Sequence, residues 1–540
     1  MVLVDFLAFT PRGEVELGTS VEYIGLTGDN AVDSLTTGYR WTFDGPPVLN
    51  YSISGGFNGE SFQQPDEMLH HWSGVLQTFA QVANLQFVNL GEFDNPLTAA
   101  QNGSDINLSI DGNELFFTSS NQWARGFFPA PQYVNWPYPG AAGDVFINLL
   151  SDANRLPSYE PGSQGWFLLL HELGHSLGLK HPHDDGGTGH PTFEELGIGR
   201  LDHDYVSVMS YNDDANWNVF EWDPATPMIF DVIGLQYLYG PNQTSNAGDT
   251  LYHIDRTELY QTLWDPSGED TISLEGSGEG WYIELPNHTI SSLINTRIGH
   301  VAPEQEVDLL FPHTLVWLTG EFENVIGSFF ADKIVANDLA NTVRPLGGND
   351  WIDGGAGQDR VIYDERFGQS EIQASLDSQG RIFHTVVTSD GSDTLYNVEK
   401  LLFTDYWVSL FPQQTPAGQI YRLYQAAFER SPDLDGIGYW IYQSESGLDM
   451  VSVATAFAQS AEFGRIYGAD PSPESIVYGL YRNALRREPD EQGFDYWVNQ
   501  LRSNELDTAK VMLSISESTE SQQLSADALA VGVVYAPWIV

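Results

Sequence analysis

The sequence predicts a multidomain protein: an α+β domain over residues 31–245, a strand-rich domain over 246–410 and an all-α domain over 416–522. Three observations predict it. Strand and helix patterns alternate through the first part of the chain, and helical periodicity fades after about residue 246. A helical unit then occurs twice, 57 residues apart, beyond the linker FPQQTPAG at 411–418. A length of 540 residues fits three or four domains.

Residues 1–30 read as a leader or short propeptide with weak structure. The stretch MVLVDFLAFTPRGEVE carries Asp5 and lacks a basic start, so it does not read as a secretory signal peptide. From Val48 to Ser54 the pattern VLNYSIS alternates like a strand. In PDEMLHHWSGVLQTFAQVAN, Met68, Trp72, Leu76 and Phe79 fall at helical spacing. LQFVNL, DINLSI and GDVFINLL (Gly143–Leu150) read as further strands. Gly and Pro over 127–142 predict an irregular loop, and a helix is expected from about Ser163 to Leu177.

In the middle of the chain Asp332, Asn341, Asp350 and Asp359 lie nine apart, with Ile334, Val343, Ile352 and Val361 two residues after each. The helical repeat begins at Leu423 (LYQAAFERSPDLDGIGYW) and again at Leu480 (LYRNALRREPDEQGFDYW). Tyr439, Trp440, Tyr496 and Trp497 are expected to be core aromatics. The tail, 523–540, ends in AVGVVYAPWIV, which reads as a buried last strand or as an export address.

Lys plus Arg is 22 and Asp plus Glu is 74, a formal net charge of −52. Such a surface repels phosphate backbones and makes nucleic acid an unsuitable partner. The chain has no cysteine, which excludes disulfides, thiolate metal sites and thiol nucleophiles. No apolar run reaches the ~18 residues of a membrane span.

The most specific signal is HELGHSLGLKH, residues 171–181. His171 and His175 lie a turn apart on one helix face, where two imidazoles can reach one Zn²⁺. Glu172 is placed to deprotonate a zinc-activated water. Gly178 can take φ > 0 and turn the chain so that His181 completes a three-His site with an open position. His70, His71, His183 and His190 read as solvated or structural.

This motif resembles that of the metzincins, and SVMSY supplies the downstream Met-turn with Met209. HELGHSLGLKHPHD, YVSVMSY, MIFDVIGLQYLYG, GYRWTFDGPPVLNYSIS and GDVFINLL resemble segments of the serralysin family within the metzincins, over roughly residues 30–410. Astacins, by contrast, carry disulfides, which this chain cannot form. The resemblance implies an α+β metzincin catalytic domain. In it Met209 is a floor beneath the ligands and Tyr211 is a movable extra zinc ligand that hydrogen-bonds the oxyanion. It also implies that the strand holding Gly143, Asp144, Val145 and Phe146 is an edge strand with which a peptide pairs.

LGGNDWIDGGAGQDRVI resembles the Gly- and Asp-rich nonapeptide repeats of a parallel β-roll that holds Ca²⁺. Asp350, Gly355, Gly357 and Asp359 are the matching positions. Glycines are missing from the earlier turns, so few Ca²⁺ are expected. WDPSGEDT resembles a separate serralysin calcium loop, with Asp265 and Asp270 as carboxylates. The helical repeat resembles a bacterial domain of unknown function appended to secreted and surface-layer-associated proteins. It suggests a surface or polysaccharide contact.

The function implied is a secreted, extracellular zinc endopeptidase, calcium-rigidified, acting on protein or peptide substrates and exported by a type I secretion apparatus. The alternative is a calcium-dependent surface adhesin or scaffold whose protease domain is silent or narrow in target.

Overall fold

Alternation over residues 48–54 leaves one strand face in need of cover, and the amphipathic helix that follows supplies it. The computed structural model describes residues 20–112, 116–117, 120–151, 158–212, 223–254, 259–303, 315–413 and 415–538. The chain divides into two compact units, Met1–Thr271 with Tyr282–Phe322, and Ile272–Trp281 with Glu323–Val540.

The first unit opens with β1 (Ser20–Tyr23), α1 (Asn30–Asp33), β2 (Tyr39–Thr42), β3 (Val48–Ser54) and α2 (Pro65–Val82). Next come β4 (Gln86–Phe93), α3 (Pro96–Gln101), β5 (Ile106–Asp111), β6 (Ala124–Gly126) and β7 (Val145–Asn148), then α4 (Gln164–Ser176) and α5 (Ile229–Tyr239). One sheet has the order β4-β3-β5-β7-β6, parallel except for β6. Trp72, Val75, Leu76 and Phe79 of α2 pack with Leu49 and Ile53 of β3 and with Leu169 and Leu173 of α4 in one buried core.

Two expectations change here. Residues 20–30 are not loosely held: β1 pairs with β2. Asp29 caps α1 and accepts from Ser291 Oγ and the Leu293 N–H. Residues 1–19 of the expected leader lie outside the described residues. The strand of Gly143–Phe146 is not an edge. β7 is paired on one side with β5 and on the other with β6, and Asp144, Val145 and Phe146 are buried. The three-residue β6 is the edge, too short to show alternation in the sequence.

In the second unit the nine-residue spacing becomes strand placement. Asn324–Ile326, Thr342–Arg344, Arg360–Ile362 and Lys400–Leu402 stack in parallel, with Val325, Val343, Val361 and Leu401 in register. Lys333–Val335, Trp351–Asp353 and Ser392–Tyr396 form a second parallel stack, with Ile334, Ile352 and Leu395 in register. All seven central residues are buried. Gly355 and Gly357 have φ of 84° and 129°, and a Cβ on either would strike the Asn337 or Leu339 carbonyl of the neighbouring turn. Asp350 accepts the Asp332 N–H at 2.8 Å and Asp359 accepts the Asn341 N–H at 2.8 Å. Each carboxylate thereby ties one turn to the turn before it.

The C-terminal region is helical, and its two copies show the same clamp. Arg430 grips Glu462 in the first and Arg487 grips Glu520 in the second, each through two hydrogen bonds. Val533–Tyr535 pairs with Trp407–Ser409. Tyr439 is half-buried, with Trp538 edge-on to it, and Trp440 and Trp497 pack against the helical core. Tyr496 departs from the core expectation, being 52% exposed on its helix. Mixed helix and strand content, large sheets and a helical C-terminal region agree with a multidomain fold.

Candidate metal centre

α4 starts where Ser163 accepts from the Trp166 N–H, and it is buried almost all round, so its histidines project inside the protein. The helix stops at Gly178, whose φ of 98° turns the chain back; a Cβ there would meet the Tyr39 carbonyl. The turn brings His181 over the helix. Its Nε2 lies 3.2 Å from His171 Nε2 and 3.0 Å from His175 Nε2.

Each ring is oriented from its other nitrogen. His171 Nδ1 donates to the Val208 carbonyl at 2.7 Å, His175 Nδ1 to the Leu179 carbonyl at 3.1 Å, and His181 Nδ1 to Asp184 Oδ2 at 2.6 Å. With the Nδ1 protons so committed, three Nε2 lone pairs face one another. That arrangement is repulsive without a cation between them and suits a metal ion that takes nitrogen ligands. Burial, and then the neighbouring imidazoles, lower the His171 pKa to about 3 and the His175 pKa well below its usual value. The three side chains form a group able to hold a metal ion.

Glu172 is buried beside them, with no hydrogen-bond partner for Oε2 among the described residues. Burial pushes its carboxyl up to about 8, against a hydrogen bond from the Gly126 backbone and the charge of Arg125. A buried acid poised this way is a group for moving protons. The edge strand crosses directly over it: a Cβ on Gly126 would strike the Glu172 carbonyl and His175 Cβ. Met209 is buried under the helix, where its sulfur would block any side chain at Gly174.

Tyr211 is 64% exposed, and its ring lies 5.2 Å from that of His171 and 4.5 Å from that of His181. Partial desolvation of the ring against the histidines, and then the nearby Glu172 and Asp184 carboxylates, raise its pKa. The structure thus gathers His171, Glu172, His175, His181 and Tyr211 in one place, with Gly178 and Met209 as their supports.

Three supporting groups were not found from the sequence. Asp184, three residues after His181, was within reach of a local reading. Burial opposes its ionisation, but the His181 and Gly186 hydrogen bonds hold it down at about 2. Gly126 gave no signal. Asp231 is buried and accepts from Ser207 Oγ and the Val208 N–H, both at 2.7 Å, and from the Met228 N–H at 2.8 Å. It holds the segment whose Val208 carbonyl orients His171.

Asp265 and Asp270 are buried in the first unit. Tyr252 donates to Asp265 Oδ2 at 2.8 Å and the Thr250 N–H to Asp270 Oδ1 at 2.8 Å. Asp350 and Asp359 are also buried, each with one oxygen lacking a hydrogen-bond partner among the described residues. Burial pushes Asp359 up to about 8 and raises Asp350 also, with further contributions from nearby carboxylates. Such orphaned oxygens fit a cation better than they fit water-free burial.

Comparison with known proteins gives two separate matches. Residues 413–464 and 454–525 match a family described as a domain of unknown function (DUF4214). Metalloprotease AprA of Pseudomonas entomophila is 30% identical over 293 residues, 50% of this chain and 53% of that protein. Metallopeptidase AprA of Pseudomonas marginalis is 27% identical, over 60% of this chain and 64% of its own length. Serralysin G of Dickeya chrysanthemi is 28% identical, over 52% and 61%. The chain therefore spans between 53% and 64% of the length of these relatives.

Proposed function

We propose that this chain, a relative of the serralysin metalloproteases, is a secreted zinc-dependent endopeptidase that hydrolyses peptide bonds of extracellular proteins. The observation that carries the reading is the convergence of three imidazoles, with His181 Nε2 3.2 Å from His171 Nε2 and 3.0 Å from His175 Nε2, beside a buried carboxyl with an oxygen unpartnered among the described residues.

His171, His175 and His181 would hold Zn²⁺. When bound, the ion supplies a Lewis acid that acidifies water and polarises the scissile carbonyl. Glu172 takes the proton of the attacking water and passes it to the leaving amine. Tyr211 presents its phenol to the carbonyl and hydrogen-bonds the oxyanion. The substrate adds as a strand along Ala124–Gly126, since β6 is the free edge beside Glu172.

The parallel stacks of the second unit are read as a β-roll holding Ca²⁺ at Asp350 and Asp359, with a further ion at Asp265 and Asp270. Export through a type I apparatus, calcium-driven folding outside the cell and surface or polysaccharide contact through the helical repeat complete the proposal. Among the described residues, no helix is long and apolar enough to cross a membrane. The direct experiment is casein cleavage by the zinc- and calcium-loaded chain beside its Glu172→Ala variant. A calcium-dependent adhesin or scaffold remains the second reading, favoured only if the intact site proves silent.

Without calcium, the stability of the second unit falls as pH rises. A buried Asp with a raised pKa binds its proton more tightly folded than unfolded, so stability is lost from the ordinary carboxylate range up to about 8. Melting curves in chelator are expected to show a lower transition at pH 8.5 than at pH 5.5. Added Ca²⁺ raises the pH 8.5 transition most. A chelated transition that rises with pH would contradict the cation role of these carboxylates.

A further inference from the structure

His183 lies beside the three-nitrogen site without belonging to it. Its ring is parallel to that of His181, with 4° between planes and 5.0 Å between centroids, and lies 4.9 Å from the ring of Tyr211. Its Nδ1 is 3.5 Å from Asp202 Oδ2. Asp202 Oδ1 accepts from Ser210 Oγ at 2.6 Å, on the residue before Tyr211. The Asp202 carbonyl accepts from Asn212 Nδ2 at 2.9 Å, on the residue after it. The Asn212 N–H closes the loop onto Ser210 Oγ at 3.0 Å, and the Asn212 carbonyl accepts the Asp204 N–H at 3.2 Å. One residue therefore grips Tyr211 from both flanks and also meets the imidazole against its ring.

We infer that Asp202 and His183 are positioning residues for Tyr211. Asp202 holds the side chains of Ser210 and Asn212 on either side of the tyrosine, the first through its carboxylate and the second through its carbonyl, and His183, facing Asp202, walls the ring. Together they set where the phenol oxygen stands. The inference rests on the proposed role of Tyr211 at the oxyanion. An exposed tyrosine left to its own rotamers spreads its oxygen over several ångströms, whereas a donor must be held to within about 0.5 Å to stabilise developing charge. Burial opposes ionisation of Asp202, but the His183 and Ser210 hydrogen bonds hold its carboxyl below the usual range. It is thus a charged acceptor at neutral pH, and charge-assisted bonds are the stronger kind.

If these residues act through Tyr211, their effect disappears when the phenol oxygen is removed. The test is a double-mutant cycle on the full chain, measuring kcat, KM and bound zinc on a fluorogenic peptide. His183→Ala and Asp202→Asn are each expected to lower kcat about tenfold with KM and zinc content unchanged. In a Tyr211→Phe background the same changes are expected to alter kcat less than about twofold. Equal losses in both backgrounds would overturn the inference, as would losses appearing in KM or zinc content. His183 is one-third exposed, so its variant keeps the test open if Asp202→Asn melts early. A wild-type chain with zinc bound and no cleavage would overturn the proposed function itself, before the cycle is run.

Discussion

Replacing Glu172 by Ala is expected to lower casein cleavage at least about 10²-fold and to leave zinc binding unchanged, if the chain cleaves as proposed. The two outcomes separate because the metal group consists of His171, His175 and His181, not Glu172. Glu172 is buried, its Oε2 lacks a partner among the described residues, and the edge strand passes directly above it. Burial pushes its carboxyl up to about 8. A bound dication opposes that shift, so the carboxylate form becomes available as a base at neutral pH. Glu172→Gln keeps the shape and removes the base, and it is expected to lose nearly as much as Ala. Cleavage within about threefold of wild type in either variant would remove Glu172 from the chemistry.

Asp231→Ala is expected to destabilise the first unit by about 2–4 kcal/mol, because three donors buried around one carboxylate lose their acceptor. It also weakens zinc binding at a distance, since Asp231 holds the Val208 N–H and the Val208 carbonyl holds His171. Asp231→Asn keeps one acceptor oxygen and loses less. The pair also gives a pH signature. Burial raises the Asp231 carboxyl to about 7 despite its three hydrogen bonds. The folded state therefore binds that proton more tightly than the unfolded one, and wild-type stability falls as pH rises from the ordinary carboxylate range to about 7. The gap in melting temperature between wild type and Asp231→Asn narrows over that window and is flat above it. A gap that widens with pH would show that the carboxylate is the favoured buried form.

What the sequence disclosed and what it hid divide along one physical line. His171, Glu172, His175 and Gly178 sit within one helix and its cap, where 3.6-residue periodicity and a positive-φ glycine are local facts. His181 follows from the same turn. The nine-residue register of Ile334, Val343, Ile352 and Val361 is equally local, and it reappeared as stacked strand centres. The resemblance places the edge at the strand of Gly143–Asn148, whose apolar residues read as a strand by themselves. Its pairing on both sides depends on Ala124–Gly126, which has too few residues to carry a period. Asp231 is one acidic residue in a largely apolar helix. Its role comes from three donors, two of them brought in from the Met209 segment by tertiary packing. In the sequence Tyr496 reads as core together with its repeat partner Tyr439; of the two, Tyr439 is partly covered by Trp538, far away in the chain, and Tyr496 is 52% exposed.

The central claim is that the three imidazoles hold one zinc ion that peptide cleavage requires. The most direct test is to titrate zinc into chelator-treated chain kept in calcium, following bound metal and casein cleavage together. One zinc per chain, with cleavage rising in proportion to occupancy and absent from His181→Ala, is the predicted result. Cleavage that persists without zinc, or one zinc bound with no cleavage of casein, would contradict it.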